Sequence, residues 1–228
     1  VILYPDDKKS KHIGKKIKEI GFNNSRIFKY SKDSEVLTGQ IEKLTNYKQR
    51  KINLESRIKI LEKSDLPKDV RELNQLKQKY TLGDVNFDSV IIIDFDDGLK
   101  SVLTSLEYTD VTEKNILILT ANQWFDDSLL KEDSSQNIYF PSINKKNYDN
   151  FSKLYFEKFN NYPNQISFLS YDLVGLVYYL TKKNNLENIN KIFDQKNIFK
   201  GKTGIFEIKD KKISHILNFY KVENGKFT

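Results

Sequence analysis

The residues best placed to do chemistry are carboxylates gathered just past a short apolar run. Val90-Ile91-Ile92-Ile93 is uninterrupted, rich in β-branched residues and bounded by polar turn formers, which suits a strand buried on both faces of a parallel sheet. Asp94, Asp96, Asp97 and Gly98 follow directly, and beyond them Leu99, Val102, Leu103 and Leu106 recur at helical spacing. Strand, polar loop and helix form the repeating unit of an α/β sheet, and ligands settle where such strands end. Two further runs finish in the same way. Val1-Ile2-Leu3-Tyr4 leads into Pro5-Asp6-Asp7, and Asn115 to Thr120 leads into Ala121-Asn122-Gln123-Trp124-Phe125-Asp126-Asp127.

Other chemistries find few residues to work with. Cysteine is absent, no Gly-x-Ser-x-Gly elbow occurs, and the histidines are His12, on a first helix, and His215, entering a late strand. A catalytic base needs a nucleophile and an orienting partner beside it, so both histidines read as surface or packing residues. A histidine-based zinc site lacks ligands. Gly201-Lys202-Thr203 has the ending of a phosphate loop, but Lys196 stands where that motif needs its first glycine, and a strand rather than a helix follows. No catalytic residue, metal ligand or cofactor is assigned. One enzymatic alternative stands on Asp94-Phe95-Asp96, which after an apolar strand resembles the nucleophile motif of haloacid-dehalogenase-like, Mg²⁺-dependent phosphatases. Thr120 at the end of its strand is similar to that family's second motif. Asp97-Gly98 departs from the family's pattern, and two strand units precede the motif.

The elements that must hold these loops read as β-α-β at the start. A helix from about Ser10, with Ile13, Ile17 and Ile20 on one face and Gly21 as its stop, joins Val1–Tyr4 to a strand at Arg26–Tyr30. From Ser34 to Tyr80, apolar residues repeat at three- and four-residue steps, broken at Ser64-Asp65-Leu66-Pro67. This predicts an antiparallel helical hairpin inserted over 35–80. The insertion carries eleven Lys/Arg against seven Asp/Glu, a net +4, and either props against its own domain or docks a partner. A helix at Leu99–Tyr108 and an apolar run at 137–142 continue the α/β order. The chain then becomes helical, with Tyr148, Phe151, Leu154, Tyr155 and Phe159 in one stripe. A fatter stripe from Phe168 to Leu180 is apolar on most sides and expected to be buried. A short helix near 188–194 and a β-rich end from Ile205 complete the reading.

Composition sets the outer bounds. A chain of 228 residues with 38% hydrophobic and 13% aromatic residues buries a real core despite 30% charge. The formal charge is +7, nearly all of the cations are Lys, and they are spread along the chain, which argues for a solvated surface and against nucleic-acid binding. No apolar run approaches a membrane span. Without Met, and starting directly in a strand-like run, the sequence is expected to lie inside a longer chain. Membrane association would then come only through an N-terminal lipid anchor outside it.

The order of motifs resembles the type I periplasmic binding proteins, the Leu/Ile/Val-binding-protein family. Val1–Asp7 is similar to the opening of that family's second lobe, Phe87-Asp88-Ser89-Val90 to its F-D-A-V strand, and Trp124-Phe125-Asp126-Asp127 to its W-x-D/N-D turn. Phe151 to Pro163, Ser170-Tyr171-Asp172, Phe199 to Phe206 and Phe219 to Phe227 follow the family's later segments in order. The resemblance implies an α/β fold, a parallel sheet flanked by helices, as a type I binding-protein lobe with an inserted helical hairpin. It implies a second lobe at 1–141, a return segment to the first lobe at 142–199, and a hinge with closing strands at 200–228. It further implies a non-enzymatic, periplasmic ligand-binding module. The insertion and tail are most similar to the lipoprotein activators of penicillin-binding proteins, which regulate cell-wall synthesis. The alternative is a solute receptor of an ABC transporter for amino acids or similar small polar metabolites. The partner is accordingly a penicillin-binding protein or a transporter permease. The expected ligand-binding cleft edge comprises Asp6, Lys9, Asp94, Asp96, Asp97, Asn122 and Trp124. Amino-acid receptors carry a ligand-gripping tyrosine followed by glycine in the first loop, and here Lys9 and Ser10 stand at those positions.

Overall fold

The computed structural model describes residues 1–22, 24–121, 124–184, 197–209 and 212–228. Its main sheet is built from short runs that alternate with helices. Strand β1 (Ile2–Pro5) leads through α1 (Lys8–Glu19) to β2 (Ile27–Tyr30). Helices α2 (Ser34–Leu44), α3 (Tyr47–Leu61) and α4 (Pro67–Leu76) precede β3 (Ser89–Ile92), which leads through α5 (Asp96–Tyr108) to β4 (Leu117–Thr120). Two short 3-10 turns then lead to β5 (Tyr139–Ser142). β2, β1, β3, β4 and β5 are neighbours in that order and all parallel, with β3 and β4 in register from Ser89 opposite Leu117 to Ile92 opposite Thr120. The far side of the sheet is closed by β9 (Asn218–Glu223) beside β5 and an antiparallel β10 (Lys226–Phe227). A parallel order of this kind needs crossovers, and the helices supply them. The fold is the expected one: α/β, with a mostly parallel sheet flanked by helices.

The chain forms two compact units. The first contains residues 1–121, 126–140 and 221–228. In it, Ile2, Tyr4 and Ile93 pack with Ile13 and Ile17 of α1 as the spacing predicts, while Ile20, expected on the same face, lies past the helix end and is exposed. Leu99, Val102, Leu103 and Leu106 of α5 are all buried. α5 begins at Asp96, earlier than the apolar spacing indicates, because Asp96 and Asp97 fall in its first turn, where acidic side chains favour the positive end of the helix dipole.

The insertion differs from the expected two-helix hairpin. Its first apolar stripe is cut at Asn46, which adopts φ 53° in the left-handed region, so three helices form instead of two. Asn tolerates this conformation better than most residues, and the period of the apolar side chains carries straight across it. α2 buries Leu37 and Ile41 and packs on α5, while α3 and α4 share a core of Leu54, Leu61 and Leu76 with Ile58, Leu73 and Leu82 around it. Arg50, 5% exposed, fastens the base. Its guanidinium donates to the carbonyls of Gly83 (2.9 Å) and Thr109 (3.0 Å) and to Thr81 Oγ1 (2.8 Å). A buried guanidinium is tolerable only with its donors satisfied in this way. The propping role is therefore built into the insertion.

The second unit contains residues 122–125 and 141–220. Helix α6 (Lys145–Phe159) ends at Asn160, φ 51°, whose N–H returns to the Phe156 carbonyl. Helix α7 (Gln165–Asn184) lies by the antiparallel sheet β6 (Asn197–Lys200), β7 (Ile205–Lys209) and β8 (Lys212–Ile216), with Leu176 and Leu180 packed on Ile208 and Phe199. The β-rich end is divided: β8, which holds His215, and β9 belong to different sheets. The expected helix at 188–194 lies outside the described residues. α7 also departs from its expected burial. Phe168, Asp172, Leu176 and Leu180 form a buried i, i+4 stripe, but Ile166, Val174 and Tyr178 on the other sides are 71%, 70% and 65% exposed. Being apolar on most sides did not give α7 neighbours on most sides.

Candidate functional site

The carboxyl edge of the first unit's sheet brings together the loops after β1 and β3, which are adjacent strands. Asp7 caps α1 by accepting from the Ser10 N–H at 2.8 Å and the Ser10 hydroxyl at 3.1 Å, and the Ser10 amide is the main reason its carboxyl lies below the usual range. Asp6 is exposed and pairs with Lys29 at 3.0 Å. Lys9 is exposed and holds its ammonium 5.8 Å from the centre of the Phe95 ring, within cation–π range. The loops after β1 and β3 therefore touch through a lysine and an aromatic ring.

Asp94 behaves differently from its exposed neighbours. It is 6% exposed; Tyr30 donates its hydroxyl to Oδ2 at 2.7 Å, and the Phe95 N–H donates to Oδ1 at 2.9 Å. Burial, then the Asp94 carboxylate, push the Tyr30 phenol far above its ordinary value, so Tyr30 stays protonated as a donor. Gly98, in the first turn of α5, makes room for the carboxylate: a Cβ there would stand 2.5 Å from Oδ2. Asp96 and Asp97 point outward, and Asp96 takes φ 51° where the strand turns into the helix. Asp97 meets Lys100 at 3.4 Å. Asp94 thus holds structure together, while Asp96 and Asp97 keep their carboxylates in water. As a phosphatase nucleophile Asp94 is poorly presented, since attack requires an accessible oxygen. Among the described residues no cluster of His, Cys, Asp and Glu is arranged to hold a metal ion. Grooves in this unit run along the opposite, amino edge of the sheet, lined by Arg26, Asp88, Lys114 and Asn115.

Two expected edge residues remain. Asn122 lies outside the described residues. Trp124 belongs to the second unit, half-buried, with its ring 5.6 Å from Phe168. Phe168 is the hub of an aromatic cluster, stacked on Tyr148 at 5.1 Å and tilted against Phe151 at 4.4 Å. Beside it, Tyr220 sets its edge against Phe125 at 4.9 Å and accepts from the Lys145 N–H at 2.8 Å. Trp124 thus packs at the border of this cluster.

The second unit holds a polar clasp that sequence reasoning did not assemble. Asp172, 3% exposed in the apolar stripe of α7, accepts from the Lys202 N–H (2.7 Å), the Thr203 N–H (2.7 Å) and the Thr203 hydroxyl (2.5 Å). Gly201 again leaves no space for a Cβ against the carboxylate. His215 stacks flat on Phe206, ring centres 4.3 Å apart, and burial holds its imidazole below the usual value against the opposing pull of Asp172 and the Thr203 backbone. Two signals were present in the sequence. Asp172 is a carboxylate at a buried position of an apolar helix, and Gly201-Lys202-Thr203 is a turn with amides to donate.

The parallel order, the crossover helices and the loops at the strand ends define a type I periplasmic-binding-protein-like fold. Solved structures with this fold are similar to the chain over nearly its whole length. An extracellular ligand-binding receptor from Desulfohalobium retbaense superposes with a TM-score of 0.57 at 10% identity, over 99% of this chain and 35% of that one. Full-length LpoA from Haemophilus influenzae gives 0.52 at 12% identity, over 99% of this chain and 35% of that one. The LpoA C-domain from the same organism, described as a regulator of PBP1A, gives 0.52 at 12% identity, over 99% of this chain and 59% of that one. The chain thus spans about a third of the full-length proteins it resembles. No family model matches the sequence, and no curated protein matches it.

Proposed function

We propose that the chain is part of a non-enzymatic, periplasmic regulator of a penicillin-binding protein, built on a solute-receptor fold but acting through protein contact. The observation that carries this reading is that Asp6, Asp7, Lys9 and Asp94 at the carboxyl edge are engaged by partners within the chain. Asp94 is bound by Tyr30 and the Phe95 amide, Asp7 by Ser10, and Asp6 by Lys29, while Lys9 occupies the place of the receptors' tyrosine and leans on Phe95. A site for a small solute turns a few precisely placed polar groups toward a concave pocket, whereas these turn toward partners in their own chain. The likeness to the LpoA C-domain adds support for this choice of partner.

Solute capture for an ABC transporter is the second reading. It draws on Asp96 and Asp97, which are exposed at the same edge and could receive a cationic group. We assign residues 1–141 to a second lobe, 142–199 to a return segment of a first lobe, and 200–228 to the hinge and closing strands. The exposed apolar sides of α7 support this assignment, because a face of that kind calls for cover by further protein. Surface-immobilised protein exposed to a purified bifunctional penicillin-binding protein tests the regulator. Saturable binding is expected. Absence of binding, together with a solute that raises the melting temperature, would move the assignment to a receptor. Deleting 35–80 is not a clean test of docking, because it uncovers the α5 face beneath Leu37 and Ile41 and removes the Arg50 anchor.

A further inference from the structure

We propose that the closed end of the α3–α4 hairpin is a peripheral docking surface for an anionic phospholipid bilayer. This goes beyond the regulator reading and stands independently of it. Ile60, Leu66 and Val70 at this end are 61%, 64% and 43% exposed. Leu66 and Val70 share one face, a turn apart, with the Val70 N–H on the Leu66 carbonyl at 3.0 Å. These side chains are not an unfinished core, because the hairpin already has one in Leu54, Leu61 and Leu76. They point out of it.

Four exposed cations surround them: Lys59, Lys63, Lys68 and Arg71. Two of the four acids of the same segment are ion-paired. Glu72 takes a bidentate bond from Arg57 at 2.8 and 2.9 Å and Glu62 pairs with Lys77 at 3.1 Å, while Asp69 accepts from the neutral Ser64 hydroxyl and keeps its charge. Asp65 is the remaining carboxylate between Ile60 and Arg71. Among the described residues none of the four cations has a carboxylate within ion-pair distance. Residues 57–77 therefore carry a net charge of +2, six cations (Arg57, Lys59, Lys63, Lys68, Arg71, Lys77) against four acids (Glu62, Asp65, Asp69, Glu72), beside exposed aliphatic side chains. The tip sits about 17 Å along the α3 axis from the anchored Arg50, at the usual rise per helical residue.

The composition favours lipid over protein. Protein interfaces are depleted in Lys and concentrate their energy in Tyr, Trp and Arg, whereas three of these four cations are Lys and the tip has no aromatic residue. Aliphatic side chains that enter the headgroup region shallowly, with lysine stems lying along them and ammonium groups on lipid phosphates, match the arrangement.

Flotation with vesicles tests this, using phosphatidylcholine alone or phosphatidylcholine with phosphatidylglycerol at two to one. The protein is expected to partition onto the phosphatidylglycerol vesicles by at least about tenfold over phosphatidylcholine, less so at high salt. The tip variant Lys59→Glu/Lys63→Glu/Lys68→Glu/Arg71→Glu should lose that preference. A variant with equal charge change at other exposed lysines, Lys11→Glu/Lys15→Glu/Lys114→Glu/Lys226→Glu, should keep it. Leu66→Ser, which changes a side chain outside the core, should weaken binding severalfold with the melting temperature unchanged. Equal partition onto both vesicles, or an equal loss in the charge-matched control, overturns the proposal. So does a tip that ignores vesicles and instead binds an acidic protein.

Discussion

Each unit of this molecule buries an aspartate against a glycine that leaves no room for a Cβ, yet Asp94 and Asp172 sit in different kinds of place. Asp94 lies just past a strand, where α/β proteins hold ligands, and uses its oxygens on the Tyr30 hydroxyl and the amide of its own neighbour. Asp172 lies on the apolar face of a helix, where no ligand was expected, and takes two amides and a hydroxyl from a turn about thirty residues away. The comparison teaches that a carboxylate's position along the chain does not decide its role. Its hydrogen-bond partners do. The sequence singles out Asp94 by its address at a strand end, and gives no such signal for Asp172 on a helix face.

The largest expected effect falls on the pair itself. Asp172→Ala leaves the Lys202 and Thr203 amides and the Thr203 hydroxyl without their acceptor, and Asp94→Ala leaves the Tyr30 hydroxyl and the Phe95 amide without theirs, at about 1–3 kcal/mol for each buried group. Urea unfolding should show a clear loss in both variants; a neutral Asp172→Ala would mean the Lys202–Thr203 turn finds other partners. Next, Tyr30→Phe removes a hydrogen bond to a buried charge, about 1.5–3 kcal/mol, and should bring down the whole first unit by the same measurement. Gly98→Ala and Gly201→Ala push a methyl group into the two carboxylates and should each cost about 1–3 kcal/mol. If either is neutral, the carboxylate beside it moves freely and the likeness between the two sites fails.

A smaller effect appears with pH. His215 is held below its ordinary value in the folded state, so the unfolded chain binds the proton more tightly. The stability linked to this group is complete above the unfolded imidazole value, near 6.5, and is lost as pH falls from there through the folded value. Melting temperatures across that window should fall on acidification, and His215→Phe, which keeps the stack on Phe206, should flatten the curve.

Much of the fold was legible because its signals are local. Val90–Ile93, Leu117–Thr120 and the Ile13/Ile17 face each declare a buried strand or a covering helix through their own spacing. What was not legible depended on contacts made elsewhere. The break at Asn46 is a single left-handed residue inside an unbroken apolar period. The exposure of Val174 and Tyr178 depends on which neighbours α7 has, and periodicity does not report neighbours. At the site, the contact of Lys9 with Phe95 and the inward turn of Asp94 toward Tyr30 both depend on residues from other strands and were not legible in the sequence, nor was the packing of Trp124 on Phe168.

The central proposal is that the carboxyl edge, where Asp6, Asp7, Lys9 and Asp94 are engaged within the chain, does not grip small solutes. A thermal-shift series against amino acids, short peptides and phosphate esters with Mg²⁺ tests it most directly. A ligand bound to the folded state at a hundredfold excess over its dissociation constant adds about 2.7 kcal/mol, which moves the melting temperature of a chain this long by several degrees. The account predicts no such shift from any member of the series. A rise of several degrees that disappears in Asp96→Asn/Asp97→Asn would contradict it and make this edge a receptor site.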